Sequence, residues 1–354
     1  MKTNKLISKV FILSVLFLAS CSDDDSPQLP KGDYENGLLI SGEGSGAGTG
    51  SVSFVSNDLT TTENLIYKKV NTTELGIYLQ SMAFDDDRAF IIVDNANSVT
   101  VVDRYTFEEK ATITSGLEVP RYMAVVGNKG YVTNWGKGDY TTDIDDDFIT
   151  VINLDTYTVE EKIDVAIGPE RIIENNGKLY VSHKGAFSTN NVVSVIDLSD
   201  NSIEEITVGY KPDEIFVNDQ GELIVLCGGN ESWTANGETE ASIRKIDVST
   251  NLEISSLTFA TGEHPSLLVL DNGALYYDIN NEVYMIDENA TALPSTSIFE
   301  PQGYLYGMEV KDGKAYLLDS SFSDLSELNI YDLTTKDKLD TKSVALGASK
   351  IYFN

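Results

Sequence analysis

The residue types that most often carry chemistry are few in this chain and far apart. Its two histidines, His183 and His264, lie 81 residues apart, and no His/Cys cluster has the spacing of a zinc site. No G-x-S-x-G elbow presents a nucleophilic serine. The run GEGSGAGTG at 42–50 is rich in glycine, but no Lys-Ser/Thr follows it and it leads into a strand. A flexible loop fits it better than a phosphate cradle. Asp143, Asp145, Asp146 and Asp147 suggest calcium, yet the Gly and distal Glu of an EF-hand loop are missing, so a solvated acidic rim is expected. Cys227, inside the apolar run ELIVLCGG, reads as a small buried residue. No catalytic residue, metal or cofactor is assigned.

What remains is recognition chemistry. Trp135, Tyr140, His183, Lys184, Phe187, Trp233 and Phe322 fall in long, unequal segments between apolar runs. Aromatic rings with a few charged neighbours suit a large, mostly neutral, amphipathic ligand. Each also has a structural reading. A Trp can pack on its neighbour, His183 can bond within its own loop, and His264, before Pro265, can be a turn residue.

The elements that must position these residues repeat. Six stretches share one plan: an apolar run, a tight turn and a second apolar run. They begin at Leu79, Pro120, Pro169, Pro212, Pro265 and Leu305, and the chain ends with half a unit more, ASKIYFN. Successive starts are 41, 49, 43, 53, 40 and 43 residues apart, the length of a four-stranded propeller blade. Asn-Gly and Asp-Gly pairs supply tight turns. A third strand follows in each unit, as in FITVINL or VVSVIDL, with an Asp or Asn near its end to turn into a short fourth strand. In the first unit GLLISGEG, GSVSFVSND and NLIYKKV read as strands two to four. Its innermost strand is missing, and ASKIYFN is spare. The expected fold is therefore all-β: a seven-bladed β-propeller of four-stranded blades, closed by the C-terminal strand joining the N-terminal blade, with no edge left exposed. An open array or six blades is the alternative.

On that fold the central mouth should be ringed by residues near the inter-blade Pro position: Gln80, Arg121, Glu170, Asp213, Ser266 and Tyr306, joined by Tyr78 and His264. Glu170, Arg171 and Asp213 could instead form an internal ion-pair ring.

Tyr131-Val132-Thr133-Asn134, with KLYVS from Lys178, VSVID from Val193 and Gly168-Pro169, resembles the YVTN repeat family of bacterial seven-bladed propellers. The resemblance covers nearly all of residues 37–354 and implies fold, not activity.

The N-terminus gives an address. Lys2, Lys5 and Lys9 precede a short apolar core, Val10–Leu18, too short to span a bilayer. Residues 1–20 read as a signal peptide. Leu18-Ala19-Ser20-Cys21 resembles a lipoprotein lipobox, which implies lipidation of Cys21; an ordinary signal with Cys21 incidental is the alternative. Residues 21–36 form an acidic flexible tether, and its Asp23-Asp24-Asp25 resembles the surface-export signal of Bacteroidetes lipoproteins. The expected location is the outer membrane, facing the cell exterior, with membrane contact only through the lipid. Loss of the signal takes the net charge from −31 to −34, because its three charges are all positive. Such a chain repels nucleic acid and anionic head groups.

Anchor, fold and acidity together are similar to the surface cobalamin-binding propeller lipoproteins that partner TonB-dependent transporters. That resemblance implies a non-catalytic capture protein for a corrinoid, with a transporter as partner. A protein- or glycan-gripping propeller and a channel-metal hydrolase or lactonase are the alternatives.

Overall fold

A computed structural model describes residues 30–46, 48–138 and 146–354 of the chain. Lys31–Asn354 forms one compact unit of seven antiparallel sheets. Blade two shows the common plan, with strands Leu79–Phe84, Arg88–Val93, Ser98–Asp103 and Glu109–Ile113 in spatial order. Blades three, four, five and seven repeat it from Pro120, Pro169, Pro212 and Leu305. In blade six, Ser266–Asp271, Ala274–Ile279 and Glu282–Asp287 form three strands, and a bridge from Val283 to Phe299 stands at the outer edge.

Blade one is closed by the two ends of the described unit. Ala348–Phe353 pairs with Gly37–Gly42, which pairs in turn with Ser51–Ser56. Its fourth strand is only Thr62–Glu63, so the strand expected in NLIYKKV is absent. Ile66–Asn71 is a short helix there, with Ile66 and Tyr67 buried against blades one and two. Lys68 and Lys69 leave too little apolar alternation for an outer strand, and burying one helical face serves the same core.

Burial follows position in the blade. Second strands such as Lys178–His183 and Glu222–Cys227 are buried at every residue after the first, because a neighbouring blade covers each face. Outer strands such as Leu252–Thr258 are mostly exposed. The core is accordingly a set of clusters between blades. Tyr131, Ile149 and Val151 of blade three meet Leu179, Val181 and Ile196 of blade four.

Turn chemistry fixes the register. Asn176-Gly177, Asn272-Gly273 and Asp312-Gly313 all have positive φ, as a two-residue type I′ hairpin turn requires. At the end of third strands the side chains of Asp103, Asn153, Asp197, Asp247 and Asp332 accept hydrogen bonds from backbone N–H groups two residues on.

Candidate functional site

The tight turns lie on one face of the ring, and the long loops with the starts of the inner strands lie on the other. All seven inner strands slip register where they enter that face. The shifts fall between Leu79 and Ser81, Pro120 and Met123, Pro169 and Ile172, Pro212 and Ile215, Ser266 and Val269, and Leu305 and Gly307. In blade one the shift lies opposite Ala348–Lys350. A bulge breaks strict alternation and re-aims side chains. Successive residues therefore turn toward the axis together: Arg121 with Tyr122, Glu170 with Arg171, Asp213 with Glu214, Ser349 with Lys350. The chain enters several inner strands through left-handed residues, among them Tyr78 and Val119, which also face the axis. A positive φ at a β-branched residue such as Val119 is a strained conformation held by its surroundings.

These residues line an open concavity of about 890 Å³. Its charged groups are largely paired with one another. Arg121 donates to Asp94 at 2.7 Å and to Glu170 at 3.1 Å, and Gln80 donates to Glu170 at 3.5 Å. Arg171 binds Asp213 at 3.1 Å and Glu214 at 2.5 Å, and Lys184 binds the other oxygen of Asp213 at 2.6 Å. Tyr306 donates to Glu43 at 3.1 Å, and Ser266 donates to Asp278. Burial pushes the Asp213 carboxyl up, but Lys184 and Arg171 outweigh it and hold it well below the usual range. Burial and the neighbouring Asp213 raise Glu214. Of the ion-pair ring weighed as an alternative for Glu170, Arg171 and Asp213, Arg171 pairs with Asp213 and with Glu214, while Glu170 pairs with Arg121.

Rings stand above this network. Arg121 lies 3.7 Å from the ring centre of Trp135, whose edge meets Phe187 at 5.7 Å. Elsewhere on the wall Tyr304 stacks on Tyr306 at 5.4 Å, and Phe322 backs Tyr306 at 5.5 Å. Trp135 therefore both packs on a neighbouring blade and faces the cavity.

Tyr78, Gln80, Arg121, Trp135, Glu170, Lys184, Phe187, Asp213, Ser266 and Tyr306 thus share one concavity. Four expected members do not line it. His183 is fully buried within blade four, its Nε2 2.8 Å from Ser194 Oγ and its Nδ1 3.3 Å from the Ile167 carbonyl oxygen. Burial pushes its imidazole down to about 4. Trp233 is 78% exposed on its loop, with Lys211 5.4 Å from its ring. His264 packs sideways, with Nδ1 2.9 Å from the Gly228 carbonyl oxygen. Phe322 supports the cavity wall from behind. Tyr140, Asp143, Asp145 and Cys21 lie outside the described residues. Asp146 accepts a hydrogen bond from the Lys137 backbone N–H and Asp147 one from that of Gly168. Among the described residues no group of three or more His, Cys, Asp or Glu is placed to hold a metal.

Sequence reading missed Glu43, Asp94, Tyr122, Glu214, Asp278, Tyr304 and Lys350, all in the lining. Some carried a signal. Aligning PRYM, PERI, PDEI and ASKI puts Tyr122, Arg171, Glu214 and Lys350 at one third position, which the bulge turns inward. Glu43 and Asp94 lie on connections whose paths the repeat does not specify, and Asp278 sits near the end of the second strand of blade six, Ala274–Ile279.

Comparison with known proteins identifies the fold more than the ligand. A family described as "Domain of unknown function (DUF5074)" matches residues 36–310. No curated protein matches the chain. Among solved structures, the dihydro-heme d1 dehydrogenase NirN in complex with DHE superposes with a TM-score of 0.59 at 12% identity, covering 92% of this chain and 77% of NirN. Hydrazine synthase of Kuenenia stuttgartiensis gives 0.58 at 18%, covering 75% and 86%. Apo AztD from Citrobacter koseri gives 0.52 at 12%, covering 89% and 96%. At these identities the likeness shows a shared fold alone.

Proposed function

The chain belongs to the family described as a domain of unknown function (DUF5074), and from that premise we propose that it is a lipid-anchored, non-catalytic capture protein. The ligand is a large, mostly neutral, amphipathic molecule held in the mouth of the propeller, and a corrinoid such as cobalamin is the first candidate. Lipidation at Cys21 would hold the protein on the outer membrane, facing outward, where it would pass its ligand to a TonB-dependent transporter.

One observation carries this reading. Seven bulged strands converge on a concavity of about 890 Å³ whose walls are aromatic and whose charges are mostly paired among themselves. A site of that size, pre-formed and lined by rings above fixed polar groups, suits a bulky ligand with spread polarity. Most of the arginine and lysine donors are already taken by carboxylates, so a polyanion would have to displace them.

The test is a titration of the purified protein with cobalamins, haem, ferric siderophores and glycans, read by tryptophan fluorescence and thermal shift. A corrinoid at about a hundred times its Kd should add about 2.7 kcal/mol of stability. Trp135→Ala should weaken binding at least tenfold, and Trp233→Ala should leave it unchanged, since Trp233 stands outside the concavity. No response to any corrinoid would sink the specific candidate. Loss of binding in Trp233→Ala but not in Trp135→Ala would move the site off the mouth.

A further inference from the structure

Below the mouth lies a second cavity of about 320 Å³, and its lining is of another kind. Met82, Met123, Ile172, Ile215, Met308 and Ile351 give it apolar sides. Lys350 lines both cavities, together with Tyr122, Arg171, Glu214, Leu267 and Ser349, and so lies at the neck between them. The other three cations of the mouth each hold a carboxylate: Arg121 holds Asp94 and Glu170, Arg171 holds Asp213 and Glu214, and Lys184 holds Asp213. Lys350 holds none. Among the described residues no carboxylate lies within ion-pair distance of it, and its amine stands 5.5 Å from the centre of the Tyr122 ring.

We propose that Lys350 is the anchor for one anionic oxygen group on the inner end of the ligand. The ligand class is then an amphipathic molecule whose ring-bearing body rests on the aromatic wall and whose single anionic end reaches the neck. This rests on the capture reading above and specifies the polar end of the same ligand.

An ammonium held inside the channel without an ion-pair partner is costly unless it gains a counter-charge, and a ligand oxyanion supplies one. Among the described residues no carboxylate facing Lys350 forms an ion pair with it. Arg121 and Arg171 repel the amine; Glu43, which accepts from the Tyr306 hydroxyl, and Glu170, which pairs with Arg121, attract it only from beyond ion-pair distance; and Glu214 pairs with Arg171. Lower in the channel, burial raises the Glu309 carboxyl to about 7, so it is mostly ionised near pH 8 but forms no ion pair with Lys350, and Tyr352 stays neutral because burial raises its hydroxyl to about 12. Burial, followed by Arg171, brings the Lys350 amine down to about 8. The charged amine binds the anion, so its contribution to affinity is full below about pH 8 and falls as pH rises through it. Binding near pH 8 must also draw a proton onto the amine.

Two probes of one shape separate the outcomes: 1-pyrenebutyrate and its neutral amide, 1-pyrenebutanamide, titrated by pyrene fluorescence. The full-length protein at pH 7 should prefer the acid about tenfold, and calorimetry near pH 8 in buffers of different ionisation enthalpy should show proton uptake with the acid alone. Lys350→Met should abolish the preference. Lys350→Arg should keep the preference but lose both the fall above pH 8 and the proton uptake, and it stands in if the Met variant does not fold. Equal affinity for the two probes, no binding of either, or a preference that survives in Lys350→Met overturns the proposal. If corrinoids bind but the probes are not distinguished, only the anchor falls. If the acid is held by Lys350 and no corrinoid binds, only the corrinoid candidate falls.

Discussion

His183 illustrates how a residue type misleads without its surroundings. Histidines in loops of ring-lined clefts are reasonable ligand contacts, but this one ends a second strand that is buried after its first residue, with both nitrogens engaged inside the blade. Its consequence is for stability. Burial holds it at about 4 when folded, against about 6.5 in an unfolded chain. As pH falls below about 6.5 the unfolded chain takes up the proton first. The folded state therefore loses stability between about pH 6.5 and 4, by about 3 kcal/mol from this group, and none above that range. Urea unfolding at pH 7 and pH 5 should show a stability loss about 2 kcal/mol smaller in His183→Gln than in the wild type. Trp135 shows the reverse case. Its place in the loop after YVTN was legible, but its position against Arg121 and Phe187 depends on residues from two blades.

At the scale of elements, the bulged inner strand is the device that builds the site. The repeat made each strand visible, since apolar alternation and Asn-Gly turns survive in nearly every unit. The bulge was not visible, because it comes from how the strand meets the mouth and not from a residue type. Gly307 marks how closely two such strands approach. A side chain there would meet the Ser349 backbone of the next inner strand and the Leu318 side chain. Gly307→Val should force the inner strands of blades seven and one apart beside Lys350. Overpacking of this kind costs about 1–3 kcal/mol, measurable by urea unfolding. The helix at Ile66–Asn71 was misread as a strand for a related reason. Six residues carry too little periodicity to separate the two, and burial of Ile66 and Tyr67 between blades decided it.

At the scale of the whole molecule, closure joins the ends of the described unit. Ile351 enters the core with Leu38 and Ile40, while Asn354 donates to the Tyr34 carbonyl at 2.6 Å and accepts from Arg104 at 2.6 Å. Truncation after Leu346 removes the inner strand of blade one and exposes the edge of Gly37–Gly42. The truncated chain should lose a single cooperative unfolding transition and become sensitive to limited proteolysis; unchanged unfolding would show that the ring does not depend on its closing strand. The spare ASKIYFN and the incomplete first unit already implied this closure, because counting strands needs only local pattern. The sequence by itself thus determined the number of blades, the manner of closure and the face on which loops grow, all of which follow from turn chemistry and hydrophobic period. Only the tertiary structure decided which side chains meet at the axis. Residues more than two hundred positions apart, such as Glu43 and Tyr306, become partners there. Whether a given Lys finds a carboxylate depends on distances across the ring that no local pattern encodes, and for that reason Lys350 stood out only once the ring was closed.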